Sequence, residues 1–251
     1  MLKAAHQIYH PSTTFFYWVR SQLGSPSKKA AIQEGRLRIK EIFQKQGLSY
    51  PPQDVLLVGI KSAKKLLVFI DQKPRSQPSE NPLIAGHSSV DEERSWTVLK
   101  KYPVLASSGA LGPKLREGDR QVPEGVYRVT YKNEQSRFHL ALRLNYPNEY
   151  DQSQGVLDER DHLGGDIMIH GSDVSVGCLA IGNSGIEEIY ALAADTNIDR
   201  WRVILMPTWP SNFPQLKSES EIYPKWYPDL LDKIHDEIVT INLSLDLLKG
   251  D

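Results

Sequence analysis

The sequence predicts an α+β protein: a β-rich core with helices before and after it. Three observations carry this. Between residues 51 and 206, short runs of β-branched, aliphatic and aromatic residues are separated by Gly- and Pro-rich turns. Helical periodicity appears before them, at 27–46, and again after them, at 229–248. Hydrophobic residues make up 40% of the 251, enough to bury a substantial core.

The elements follow in order. Residues 1–27 carry Pro11, Gly24 and Pro26 and read as irregular. From Ser27 to Gln46 the spacing predicts a helix whose apolar face is Ile32, Leu37, Ile39, Ile42 and Phe43, stopped at Gly47 and broken by Pro51-Pro52. Val55–Ile60 and Lys65–Ile70 flank a four-residue turn and predict a hairpin. Residues 71–95, rich in Pro, Ser and charge, read as a surface loop or insertion. Strand character resumes from Trp96 to Leu105, and 109–125 is turn-rich. Val126–Tyr131 and Phe138–Leu144 alternate as half-buried strands. Asp166–His170 is a short apolar strand. A helix over Ser184–Ala194 is expected, with Ser184 and Glu187 as a capping box. Arg200–Met206 forms one more strand. The tail from Asp229 to Leu248 steps by three and four through Leu230, Ile234, Ile238, Ile241, Leu245 and Leu248, a helix expected to pack its apolar stripe on the domain. This divides the chain into an N-terminal helical extension (1–50), a central domain (51–206) and a C-terminal extension (207–251).

Composition excludes several functions. A formal net charge of −1 offers no basic field for nucleic acid. A single Cys rules out an intramolecular disulfide framework and multi-cysteine metal sites. No run reaches the roughly 20 apolar residues of a membrane span. Phe15–Val19 is too short for a signal peptide and is followed at once by Arg20.

That one cysteine, Cys178, stands eight residues after His170 and behind Gly177. A thiol is nucleophilic as thiolate, and imidazole or convergent N–H groups favour that form. Taken as an isolated pair, a buried apolar Cys and a satisfied core His would be the ordinary outcome. The surroundings argue otherwise. Upstream stand Gly112-Pro113-Lys114-Leu115-Arg116-Glu117-Gly118-Asp119-Arg120-Gln121-Val122-Pro123-Glu124-Gly125-Val126-Tyr127 and Leu144-Asn145-Tyr146-Pro147-Asn148-Glu149-Tyr150-Asp151. Followed by Ile169-His170-Gly171 and Ser175-Val176-Gly177-Cys178, these three ordered motifs resemble the catalytic domain of the L,D-transpeptidases, the YkuD-type family. The resemblance covers about residues 51–206. The N-terminal helix with Tyr50-Pro51-Pro52, and the run from Gly112 to Asp119, further resemble its YafK-type branch.

The resemblance implies a β-sandwich-like catalytic core. It implies Cys178 as nucleophile, His170 as base, the Gly171 carbonyl as the group orienting the imidazole, and Ser175 as a brace of the loop. The amides of Val176, Gly177 and Cys178 would form the oxyanion hole. Tyr146, Asp151, Arg116 and His162 are candidate substrate contacts, with Lys114 and Arg120 as further cations of the same run as Arg116. His139 and the Asp161-His162 pair show no ligand spacing, so no metal is expected, and no cofactor. The implied substrates are peptidoglycan stem peptides, with a peptidoglycan-linked outer-membrane lipoprotein as a further partner, in the periplasm or cell envelope. Two positions depart from the common pattern: Val176 stands where many members have His, and Leu179 where many have Arg. The His170-to-Cys178 spacing is also shorter. These favour the YafK-like branch and hydrolysis of a thioester over cross-linking. A non-catalytic peptidoglycan-binding module is the rival of another class.

Overall fold

The computed structural model describes residues 27–71 and 95–248. The stretches 1–26 and 72–94, which include the irregular N-terminus and nearly all of the expected insertion, lie outside the described residues, as do 249–251.

Helix α1 (Lys28–Lys45) is capped by Ser27, whose Oγ accepts from the Ala30 amide. Its buried face is Ala31, Gly35, Ile39 and Phe43, while Leu37, expected on that face, is 61% exposed. The strands are β1 (Asp54–Ile60), β2 (Lys65–Asp71), β3 (Trp96–Pro103), β4 (Gly125–Asn133), β5 (Ala141–Leu144), β6 (Met168–His170), β7 (Leu179–Ala180) and β8 (Trp201–Met206). Between and after them lie helices α2 (Glu149–Leu157), α3 (Gly182–Asp195), α4 (Phe213–Ser218) and α5 (Tyr227–Thr240).

Among the described residues the strands form one mixed sheet in the order β3-β2-β1-β8-β4-β5-β6-β7. β1 pairs with β8 in parallel and β6 with β7 in parallel; the other neighbours are antiparallel. β3 and β7 are its two edges. The chain leaving β3 nevertheless reaches β7: Ala106 bridges Ala180, with the Leu105 amide on the Ala180 carbonyl at 2.8 Å. The sheet therefore curls until the segment that follows β3 reaches the β7 edge, which satisfies edge groups of Ala180 that would otherwise be exposed. One core cluster fills the inside of the curl, where Val55, Leu57, Tyr127, Leu142, Ile169, Trp201 and Val203 pack together.

A second cluster lies on the other face. There Leu56, Val58, Leu67, Phe69 and Ile204 meet Leu230, Leu231, Ile234 and Ile238 of α5. Both faces of β1 and β8 are thus buried, which accounts for their near-continuous apolar runs.

Three expected elements differ in the structure. The tail helix ends at Thr240, with Asn242 in the left-handed region (φ 53), and a separate 3-10 turn follows at Leu245–Leu248. Helix α3 starts at Gly182, and its N-cap Ile181 makes no side-chain cap. The expected Ser184–Glu187 box is absent because Glu187 faces away, bound by Arg38 and His139. Only residues 141–144 of the expected strand from Phe138 pair, since His139 takes φ 76.

Candidate active site

The site forms at the seam where the segment that follows β3 reaches the β7 edge. β6 pairs with β5 on one side and with β7 on the other, setting His170 opposite both Ala141 and Ala180. Cys178 stands immediately before β7, two residues ahead of Ala180, the register partner of His170.

His170 is buried, with 2% exposure. Its Nδ1 lies 2.6 Å from the Gly171 carbonyl oxygen. A carbonyl only accepts, so Nδ1 carries the proton and Nε2 carries the lone pair. Phe138 stacks on the imidazole, ring centroids 4.7 Å apart. Gly171 admits no side chain: a Cβ would stand 2.7 Å from Asn183 Oδ1 and 2.8 Å from the Phe138 carbonyl oxygen. Burial pulls the imidazole below its usual range, opposed by the Gly171 hydrogen bond.

Cys178 is half-buried and its Sγ lies 3.7 Å from the Asp166 carbonyl oxygen. Burial pushes the thiol up, and the Asp166 charge pushes the same way, while the Met168 amide and the Lys114 charge act against them. The resting pair is accordingly neutral thiol and neutral imidazole.

The loop before Cys178 is held by two hydroxyls. Ser175 Oγ accepts from the Cys178 amide at 3.1 Å and donates to the Cys178 carbonyl at 2.8 Å. Ser108 Oγ accepts from the Gly177 amide at 2.7 Å and donates to the Arg120 carbonyl at 2.6 Å. Gly177 has φ 82, a conformation that suits Gly, and its missing side chain faces the Gln121 carbonyl at 3.4 Å. The Val176 side chain points to solvent, 71% exposed.

The remaining sequence-predicted residues divide. Arg116 and His162 line a common cavity of about 630 Å³ with Pro113, Gln121 and Arg160. Lys114 is turned inward, donating to Asp119 Oδ1 at 2.6 Å and to the Arg116 carbonyl at 2.8 Å. Arg120 is exposed and contributes its carbonyl to Ser108. Tyr146 and Asp151 do not line an open groove. Tyr146 is 4% exposed and its hydroxyl donates to the Leu163 carbonyl. Asp151 accepts from the Asn148 amide and the Tyr127 hydroxyl, and burial pushes its carboxyl up to about 6. Tyr146 precedes helix α2 and Asp151 lies in its first turn, where the Asp151 carboxylate and the Asn148 side chain cap one another.

His139 meets Glu187 at 2.8 Å, and among the described residues no cluster of three His, Cys, Asp or Glu side chains could hold a metal. Sequence reasoning missed Ser108 and Phe138. Neither carries a local signal: the first depends on the closing seam, and the second reads as the start of a strand. Among the described residues no helix is long and apolar enough to cross a membrane.

Residues 90–205 match the family model described as YkuD, L,D-transpeptidase catalytic domain. The protein named "Putative L,D-transpeptidase YafK" of Escherichia coli strain K12 is 41% identical over 98 residues, which span 38% of this chain and 37% of that protein. The matched stretch is thus little more than a third of the relative's length. The helical cell shape determining protein Pgp2 of Campylobacter jejuni aligns over 80% of this chain and 72% of its own, with 18% identity and a TM-score of 0.45. L,D-transpeptidase 1 of Mycobacterium tuberculosis aligns over 61% and 62%, with 14% identity and a TM-score of 0.30.

Proposed function

We propose, from the match of residues 90–205 to the L,D-transpeptidase catalytic domain model, that this chain is a cysteine-dependent acyl-transfer enzyme acting on peptidoglycan stem peptides. The observation that carries the reading is the 2.6 Å contact of His170 Nδ1 with the Gly171 carbonyl: with Nδ1–H bound there, Nε2 is left to act as a base toward Cys178, which enters the strand paired with that of His170.

In this reading Nε2 takes the proton of the Cys178 thiol as Sγ attacks a stem-peptide carbonyl carbon. The carbonyl π electrons move to oxygen, giving a tetrahedral oxyanion. The intermediate collapses to a thioester as the imidazolium protonates the leaving amine. Water or an amine then attacks the thioester, passing its proton to Nε2, and the thiol is restored. A resting catalytic pair of this kind is often looser than in the substrate complex, and closure of Sγ onto Nε2 accompanies binding.

The amides of Val176 and Cys178 serve the oxyanion, and Ser175 yields the longer of its two bonds, the 3.1 Å contact from Cys178 N–H. The Gly177 amide, already bound to Ser108, is a support of the loop. Arg116 and His162, on their shared cavity, meet the carboxylates of the stem peptide.

For the thioester, water is the acceptor we favour, giving an amidase that releases peptidoglycan-linked lipoprotein in the cell envelope. Val176 and Leu179 support this choice, since both depart from the pattern of cross-linking members. The test incubates purified protein with intact sacculi and identifies the products by mass. Released lipoprotein peptide or lost cross-links are expected from the native chain, and none from Cys178→Ala. New cross-links would replace the hydrolytic reading with transpeptidation. Undiminished turnover by Cys178→Ala would remove the cysteine mechanism altogether.

A further inference from the structure

We propose that Ser108 is a positioning residue of the nucleophile loop, fixing the Gly177 amide so that Cys178 is presented to His170. The inference rests on the reading of Cys178 as nucleophile and deepens it.

The geometry starts at the seam. Ala106 bridges Ala180, and two residues later Ser108 stands beside the loop that leads into β7. Its hydroxyl is engaged on both sides: it donates to the Arg120 carbonyl at 2.6 Å and accepts from the Gly177 amide at 2.7 Å. A hydroxyl has one proton, so the donation to Arg120 fixes which lone pair faces Gly177. Arg120 is fixed in turn. It sits at φ 59 between Asp119, whose Oδ1 accepts from Lys114 Nζ at 2.6 Å, and Gln121, whose side chain accepts from the Ala110 amide at 3.0 Å. The stretch that carries Arg120 is itself anchored: Lys61 Nζ donates to the Gly112 and Val122 carbonyls and to Glu124. Ser108 therefore transmits a rigid loop, 112–124, to a glycine that has no side chain of its own to hold it.

This arrangement assigns different tasks to the two hydroxyls. Ser175 is local to the loop and contacts the Cys178 backbone twice. Ser108 is the tie from outside it. Without that tie, Gly177 loses a hydrogen bond and regains its conformational freedom, and the amides of Val176 and Cys178 lose their fixed direction.

The experiment compares the full chain with Ser108→Ala and Ser108→Thr, using Cys178→Ala as the blank. Two readouts are taken: the rate of iodoacetamide alkylation of Cys178 against pH, and kcat and KM on muropeptides. Ser108→Ala is expected to lower kcat roughly tenfold at unchanged KM, as one lost hydrogen bond to the loop implies. It is expected to move alkylation the other way. A loosened loop admits water to Sγ, so its alkylation midpoint falls and the rate at neutral pH rises. Ser108→Thr, which keeps the hydroxyl, restores both.

A kcat equal to or above the native value in Ser108→Ala overturns the proposal, because Ser108 would then be competing for an amide that belongs to the oxyanion. So does an alkylation profile that stays unchanged while the chain remains folded. If the native chain turns over no peptidoglycan substrate, the acyl-transfer reading falls, and the alkylation comparison still decides the role of Ser108.

Discussion

His170 and Cys178 are both neutral at rest for the same reason: burial penalises the charged form of each. The two shifts bear on stability in opposite pH ranges. For His170 the folded value lies below the unfolded one of about 6.5. In the window between the two, the unfolded chain binds the extra proton, so stability falls as pH drops through it. Replacing His170 with Asn should flatten that acid-side decline, read as Tm against pH from about 7 down to 5. For Cys178 the folded value lies above the unfolded one. The folded chain holds the extra proton in that window, so stability declines as pH rises past about 8.5. Cys178→Ser should flatten this alkaline limb and leave the acid limb unchanged. A native chain whose two limbs respond to neither substitution would mean that these groups are as solvated as in the unfolded chain.

Helix α2 shows how an element can escape a sequence reading and still be strongly specified. Asn148 Oδ1 accepts from the Asp151 amide at 3.0 Å, and Asp151 Oδ2 accepts from the Asn148 amide at 3.0 Å, a reciprocal capping box. Asn148→Ala should cost about 1 kcal/mol of unfolding free energy, measured by urea titration. An unchanged midpoint would mean that the helix is held by its packing alone. The helix is hidden in the sequence because it buries only Gly155, so it has no apolar stripe to count. Its opening Tyr146-Pro147-Asn148 carries the same residues a simple turn would. The reverse holds at α3, where Ser184 and Glu187 have the spacing of a cap but Glu187 answers to Arg38 across the fold. Helix α1, the β1–β2 hairpin and β8 are legible because burial repeats along them at helix period or their apolar runs are bounded by turn residues. The same division runs through the site. Cys178, His170, Gly171 and Ser175 lie within one short stretch of sequence, and the contacts of His170 with Gly171 and of Ser175 with Cys178 are local to it. Ser108 and Phe138 arrive from elsewhere in the chain, and only the curl of the sheet brings them in.

At the scale of the whole molecule, the helices that flank the central strands are its walls. Ile39 and Phe43 of α1 lie in the cluster inside the curl, and Leu230, Leu231, Ile234 and Ile238 of α5 cover the opposite face. Polar ties reinforce both. Arg36 pairs with Asp195 at 2.7 Å, and the Tyr50 hydroxyl donates to the same carboxylate. Arg38 binds Glu187 and Glu188, and Glu187 in turn meets His139, the neighbour of the Phe138 that stacks on His170. On the other side the Tyr227 hydroxyl donates to buried Glu124 at 2.7 Å, and Trp96 Nε1 donates to the Ile241 carbonyl at 2.8 Å. We therefore expect one cooperative unit across the three sequence segments, with coincident unfolding of the full chain by tryptophan fluorescence and far-UV circular dichroism. Phe43→Ala should lower unfolding free energy by about 3–5 kcal/mol and shift both signals together. A fragment of residues 51–206 would expose both clusters, and is expected to bind a hydrophobic dye and to lose its sharp transition. Two separated transitions in the full chain, or a fragment that melts as sharply as the whole, would show instead that the central strands form an independent domain and that the helices are appendages to it.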